Sequence, residues 1–231
     1  MLLALLTNFL LDLVYPKLCI NCGKYGSFLC FNCYEKIDPC HTDLCFYCGR
    51  ISKHGEICPL CKKKYKPYFR SVRWCGNYSG VLKEIIHHYK YDGIIELSEV
   101  LSQLAYNRII NCVNQKQPII VPVPIHRSKE QMRGFNQSEL IARKLSELCG
   151  NNGGLALVRI KNTATQVGLS KLQRASNVAG SIVCRDGELV RSKTVLLVDD
   201  VATTGATLNE CAKVLRASGA KRVEAVVLAR D

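Results

Sequence analysis

Neither of the two common nucleotide-binding loops is present in these 231 residues: there is no Gly-Lys-Ser/Thr step and no GxGxxG. A Walker-type NTPase and a dinucleotide fingerprint are thereby excluded. Glycine and proline together number 23, too few for a collagen-like or low-complexity chain. Acids are the scarce charge, 19 against 32 Lys and Arg, giving a formal net charge of +13. No apolar run is long enough to span a bilayer. The most apolar stretch, Met1 to Val14, is broken by Asp12 and has no basic start. No small-residue cleavage site precedes Cys19, so a secretory signal is not expected and a cytoplasmic, reducing location is. Residues 1–16 read as an amphipathic helix packing on the rest of the chain, with peripheral membrane contact as the second reading.

What is abundant is cysteine: 14 residues, nine of them between Cys19 and Cys61. The chain is a cysteine-dense head joined to an ordinary globular body. The head holds four CxxC pairs, Cys19/Cys22, Cys30/Cys33, Cys45/Cys48 and Cys58/Cys61. Two thiolates on one tight turn share a tetrahedral zinc, and two such pairs close the site, so two structural Zn²⁺ sites are expected over residues 17–64. Pairing first with second and third with fourth is simplest; interleaving stays open, and Cys40 is a spare ligand. Residues 1–70 carry a formal +5, which eight thiolates and two Zn²⁺ reduce to +1. Residues 71–231 carry +8, so the positive field belongs mostly to the body and favours a polyanionic partner.

Residues 62–70, Lys-Lys-Lys-Tyr-Lys-Pro-Tyr-Phe-Arg, read as a solvated linker. The functional alternative is nucleic-acid contact, with Tyr65, Tyr68 and Phe69 offered for base stacking. The body, 65–231, alternates strand and helix patterns. Strands are expected at Val72–Tyr78, Ile119–Val123, Leu155–Ile160, Ser181–Cys184, Val195–Val198 and Arg222–Leu228. Helices are expected at Val81–Tyr89, Ile94–Ile110, Ser138–Leu148 and Ala206–Ala217. This is an α/β parallel-sheet pattern. His87 and His88 read as a helix end rather than a metal site.

The most informative stretch runs from Val195 to Thr207. An apolar strand ends in Asp199 and Asp200, and the loop Thr203-Thr204-Gly205-Ala206-Thr207 opens a helix. Loop amides and a helix N-terminus attract phosphate, Gly205 admits close approach, and the threonines donate hydroxyls. Adjacent acids at the carboxyl edge of a sheet hold ribose hydroxyls or hydrated Mg²⁺.

This stretch resembles the PRPP (phosphoribosyl pyrophosphate) signature of type I phosphoribosyltransferases, with Ala202 smaller than the branched residue usual there. From about Leu10 to Leu228 the chain resembles the ComF family, competence-associated proteins that join a zinc head to a phosphoribosyltransferase-like body. The resemblance rests on the four CxxC pairs, Tyr89-Lys90-Tyr91, Val121–Arg127, Arg133-Gly134-Phe135-Asn136-Gln137, Thr165–Leu169, Arg174 with Asn177, and the PRPP loop. It implies a double zinc-ribbon head, a type I phosphoribosyltransferase-like sheet, and Asp199 and Asp200 as the catalytic acids. It implies PRPP with Mg²⁺ as ligand, Thr203–Thr207 as the phosphate cradle, Arg127 as a pyrophosphate contact and Arg133 in a substrate hood. Lys161–Asn177 corresponds to the loop that closes over PRPP.

The family's link is DNA uptake in natural transformation, which implies single-stranded DNA and competence or DNA-translocation proteins as partners. Purine-type phosphoribosyltransferases carry an acid where this chain has Thr203, which lowers the case for purine salvage. Three readings follow: a PRPP-binding protein of DNA uptake, with transfer to an unidentified acceptor left open; a metabolic phosphoribosyltransferase; and a non-catalytic PRPP sensor or nucleic-acid adaptor.

Overall fold

The computed structural model describes residues 16–162 and 176–231. The expected N-terminal helix, and Thr165, Gln166 and Arg174 of the polar stretch, lie outside the described residues. Within them no helix is long and apolar enough to cross a membrane.

A four-stranded parallel sheet carries the body. Its strands are β1 (Ser71–Asn77), β2 (Ile119–Pro122), β5 (Thr194–Ala202) and β6 (Arg222–Arg230), in the order β1-β6-β5-β2. Alternate side chains of each strand enter opposite faces. Val195 and Leu197 join one core with Val223, Ala225 and Val227; Leu196 and Val198 join the other with Val226 and Leu228. Both faces are covered, which is why the strands read as unbroken apolar runs.

Three helices cover one face: α3 (Gly80–Tyr91), α4 (Leu97–Lys116) and α6 (Gln137–Cys149), presenting among others Ile85, Ile86, Leu101 and Ile141. The other face meets α8 (Ala206–Ala217) through Leu208, Cys211, Ala212 and Leu215, together with part of the cysteine head. Asn136 caps α6 by accepting from the Ser138 N–H at 3.1 Å, and Gly150 ends that helix with φ 61°, the left-handed stop its sequence implied.

Two differences from the expected pattern bear on the site. β3 (Leu157–Arg159) and β4 (Ile182–Cys184) form a separate antiparallel pair instead of extending the parallel sheet. Leu157 and Ile182 are buried while Val158 and Val183 are exposed, the one-sided pattern an antiparallel pair tolerates. Residues 62–70 are not simply a linker. Lys62 to Tyr65 finish helix α2 (Pro59–Tyr65), Tyr65 stacks on Tyr47 at 4.2 Å, and Phe69 is buried. The aromatic rings satisfy packing here; of the three, Tyr68 alone is exposed, at 48%. Short elements among the described residues include α1 (Phe31–Tyr34), α5 (Arg127–Arg133), α7 (Gly187–Val190) and a 3₁₀ turn at Lys53–Gly55.

The head is docked on the body by polar as well as apolar contacts. Asp43 accepts from Arg108 at 2.7 Å and faces Arg73 at 3.5 Å. Arg73, 1% exposed, also faces Glu224 at 3.8 Å. A Cβ on Gly76 would stand 2.9 Å from the Asp38 carbonyl oxygen, so the head crosses β1 where only glycine lets it close.

Candidate phosphate and metal sites

The sheet is staggered. β2 stops at Pro122, opposite Val198, while β5 continues beside β6 through Ala202. The strand therefore does not end at the two acids, as its sequence pattern implied. Asp199 and Asp200 lie on the part of β5 that overhangs β2, open on that side. Beyond them Thr203 and Thr204 lead to Gly205, at φ 74°, and α8 begins at Ala206. Thr204 Oγ1 accepts from the Ala206 N–H at 3.3 Å and fixes the turn. Asp199 and residues 201–208 line a small concavity.

The acids have partners that sequence reasoning did not assign. Lys90 Nζ donates to Asp200 Oδ1 at 2.8 Å, with both side chains about 15% exposed. Ser138 Oγ donates to Asp199 Oδ1 at 3.0 Å. Burial and then the charge of Asp200 push the Asp199 carboxyl up to about 7, against the opposing pull of the Asp200 N–H, Lys90 and Ser138. Burial would lower Lys90, but Asp200 more than offsets it and raises the lysine. The Tyr89-Lys90-Tyr91 motif marked this region. Its role was obscured because the helix was expected to stop at Tyr89, and it runs through Tyr91. His88 pairs with Asp92 within the same helix end, and no metal grouping forms there among the described residues.

The Arg133–Gln137 motif acts mainly as a bracket. Asn136 is buried, caps α6 and donates to the Val123 carbonyl at 3.3 Å. Phe135 packs on Tyr89 at 5.4 Å, and the Tyr89 hydroxyl donates to the Gln137 carbonyl at 3.0 Å. The motif therefore ties β2, α3 and α6 together, one residue before the Ser138 that holds Asp199. Arg133 ends α5 with its guanidinium 5.2 Å from the Tyr91 ring, next in sequence to Lys90. Arg127 opens α5 and is exposed, on the connection that leaves the same carboxyl edge as the acids.

The cysteines form two groups, Cys19/Cys22/Cys30/Cys33 and Cys45/Cys48/Cys58/Cys61, each with all four sulfurs within 4.8 Å of one another. The sequential pairing holds, and Cys40 stands outside both, donating to the Thr42 carbonyl. The tetrads are built alike. The Cys30 N–H donates to Cys19 Sγ and the Cys58 N–H to Cys45 Sγ, each at 3.4 Å. Burial pushes both thiols up, but these and neighbouring N–H groups outweigh it and hold Cys19 at about 6 and Cys45 at about 7. Four clustered sulfurs with amide support for the thiolate form fit a tetrahedral zinc.

The head also meets the Thr203–Thr207 loop. Phe46, between Cys45 and Cys48, lies so close to Gly205 that a Cβ there would sit 2.8 Å from its ring. The Arg230 guanidinium lies 5.5 Å from the same ring and 4.9 Å from Trp74. An aromatic residue inside a CxxC pair gives no sign in sequence of what it will touch.

Fold and site together define a phosphoribosyltransferase-type body carrying a double zinc ribbon. A phosphoribosyl transferase domain model matches residues 96–231 and a double zinc ribbon domain model matches residues 10–77. The chain is 31% identical to Competence protein F of Haemophilus influenzae over 226 residues, covering 92% of this chain and 96% of that one. It is 32% identical to DNA utilization protein YhgH of Escherichia coli K12 over 230 residues, 94% and 99% of the two chains. With Competence protein ComFC of Bacillus subtilis 168 it shares 26% over 197 residues, 83% and 79%. The chain belongs to the ComF family, as its CxxC pairs and acid–threonine loop implied.

Proposed function

We propose that this protein binds PRPP with Mg²⁺ at Asp199, Asp200 and the Thr203–Thr207 loop, and serves DNA uptake by handling single-stranded DNA, with two structural zinc ions in its head. The observation that carries the reading is the pair of acids on the β5 overhang beside a threonine-rich loop that opens α8. Two adjacent carboxylates facing one ammonium leave a net negative pocket, a donor set suited to a hard divalent cation. Asp199 and Asp200 would hold Mg²⁺, which supplies charge neutralisation for a pyrophosphate. Thr203, Thr204, Thr207 and the α8 N-terminus would take the 5′-phosphate. Arg127 and Arg133, on the two ends of α5, supply the cations for the pyrophosphate end.

Thr203 favours a second element of this reading. It stands where a purine-type enzyme needs a base, and a threonine hydroxyl does not serve as one near pH 7. Phosphoribosyl transfer, where it occurs, therefore runs to an acceptor whose attacking atom needs no base from the protein, with pyrophosphate as the leaving group; otherwise the protein reads PRPP without consuming it. Pyrophosphate release measured with and without single-stranded DNA separates the two.

The primary test is calorimetric titration of PRPP and Mg²⁺ into the zinc-loaded protein and into Asp199→Asn/Asp200→Asn. Binding in the first and none in the second is expected; a folded wild type that binds no PRPP overturns the reading. The pH dependence has a defined sign. A carboxyl held at about 7 is protonated below that value, so Mg²⁺-dependent affinity falls as pH drops from 8 to 6. Asp199→Asn flattens that dependence.

A further inference from the structure

The chain carries a second concave site at the opposite end of the sheet, between the zinc head and the body. It is a cleft of about 420 Å³ lined by α2, the 67–70 connection, the end of α8 and the start of β6. Five cations line it: Lys62, Arg70, Arg216, Lys221 and Arg222. Glu56 is the acid among the lining residues; it bridges Arg70 at 2.6 Å and Arg222 at 3.4 Å, and Glu224, just behind the wall, holds Arg222 at 2.9 Å. Two carboxylates thus pin Arg70 and Arg222 to the wall, and the remaining positive charge faces outward. Lys62, Arg216 and Lys221 are exposed. The half-exposed ring of Tyr68 belongs to the same wall, with its backbone N–H fixed by Asn209 Oδ1 at 2.8 Å.

We infer that this cleft is the single-stranded nucleic-acid site, with Lys62, Arg70, Arg216 and Lys221 tracking phosphates and Tyr68 stacking on a base. The inference rests on the DNA reading above and assigns it a surface. Three arguments converge. A concave wall whose five cations outnumber Glu56 and Glu224 keeps a positive excess and attracts a polyanion. An accessible aromatic ring inside it, on backbone held by Asn209, supplies the sequence-tolerant stacking that single strands offer and duplexes withhold. A space of this volume takes one or two unpaired nucleotides but not a duplex. The cleft also depends on both halves of the chain, because Lys62 directly follows Cys61 of the second tetrad. It is separate from the acids: Arg222 pairs with the first residue of β5, and Asp199 pairs with Val227, five residues along β6. At 3.3 Å per residue that places the two sites about 17 Å apart along the strand.

The test is fluorescence anisotropy of a labelled oligo-dT strand with the full-length, zinc-loaded protein, beside PRPP calorimetry on the same samples. Lys62→Glu/Lys221→Glu reverses two charges that take no part in the Glu56 bridge. It is expected to weaken binding tenfold or more and to flatten the salt dependence. Each lost phosphate contact removes roughly 0.7 from the log–log slope. Tyr68→Ala is expected to cost about 5- to 100-fold and Tyr68→Phe little, the range stacking contributes per base. PRPP affinity stays unchanged in all three. Lys24→Glu/Lys83→Glu makes the same net charge change at exposed positions remote from the cleft, and should leave most of the affinity intact. Equal weakening by that control, or full oligo-dT affinity in the cleft variants, overturns the assignment while leaving the DNA reading standing. A wild type that binds PRPP but no oligo-dT overturns both.

Discussion

The two cysteine tetrads have the same ligand spacing logic and the same amide-to-sulfur bonds, yet they are embedded very differently. Cys45 and Cys61 belong to the large core on one face of the sheet, with Phe46, Phe69 and Trp74. Phe46 makes edge contacts with Tyr47, Phe69 and Trp74 and closes on Gly205. Cys19 and Cys33 are buried within their own ribbon but join neither core. Their ribbon reaches the body through Ile37 and the half-buried Ile20, Phe28, Leu29 and Tyr34. Like tetrads therefore carry unequal responsibilities: the second ribbon backs the turn at Gly205, while the first is attached beside it.

The largest effect that comparison forecasts comes from breaking the tetrads one at a time. Cys45→Ser/Cys61→Ser removes two ligands from a buried cluster and leaves hydroxyls in an apolar core. Loss of one zinc equivalent, a collapsed melting transition and no titratable PRPP binding are expected, since structural zinc contributes folding energy directly. Cys19→Ser/Cys33→Ser also loses one equivalent but retains the body's transition and PRPP affinity within a few-fold. Equal damage from both would erase the distinction.

The next effect isolates the contact itself. Phe46→Ala empties a fully buried aromatic site and should destabilise the body by about 3–5 kcal/mol in a denaturant titration. Zinc content stays at two, but PRPP affinity drops because the turn at Gly205 loses its backing. Phe28→Ala, its half-buried counterpart in the first ribbon, should cost about 1 kcal/mol and leave PRPP binding unchanged. Gly205→Ala approaches the same contact from the other side. Its Cβ meets the Phe46 ring at 2.8 Å, and φ 74° is strained for any residue with a side chain. A cost of roughly 1–3 kcal/mol is expected. Adding Phe46→Leu should recover the steric part and leave the backbone part, a coupling that a double-mutant cycle reads directly.

The sequence disclosed the two halves in unequal measure too. CxxC spacing carries its own chemistry, so the eight candidate ligands were legible from four short motifs, while their grouping into two fours needed the structure. The turn at Thr203–Gly205 that opens α8 was legible from its small hydroxyl-rich residues, and so were strands such as Val195–Val198, whose burial on both faces leaves an unbroken apolar run, although β5 carries on past the acids to Ala202. What could not be read were contacts made by residues far apart in the chain. Lys90 on Asp200, Ser138 on Asp199 and Phe46 on Gly205 each depend on tertiary placement with no local pattern. The basic aromatic run at 62–70 misled because a linker and a packed edge share the same composition. Only burial distinguishes Phe69 from Tyr68.

The smallest effect tests whether polar docking or apolar packing holds the second ribbon to the body. Asp43→Asn removes the carboxylate that faces both Arg73 and Arg108. Arg73 is almost wholly buried, so the substitution withdraws one of its two counter-charges and leaves Glu224 at 3.8 Å. Breaking one partner of a buried ion pair costs several kcal/mol when nothing else compensates. Here Glu224 compensates in part, and the substituted amide keeps an oxygen that accepts from Arg108, so about 1–2 kcal/mol is expected. If packing of Phe46 against Trp74, Phe69 and Gly205 does most of the docking, PRPP affinity will be unchanged in Asp43→Asn. A loss of PRPP binding as large as that of Phe46→Ala would shift the coupling from the aromatic contact to the ion-pair network, and calorimetry on the two variants side by side decides between them.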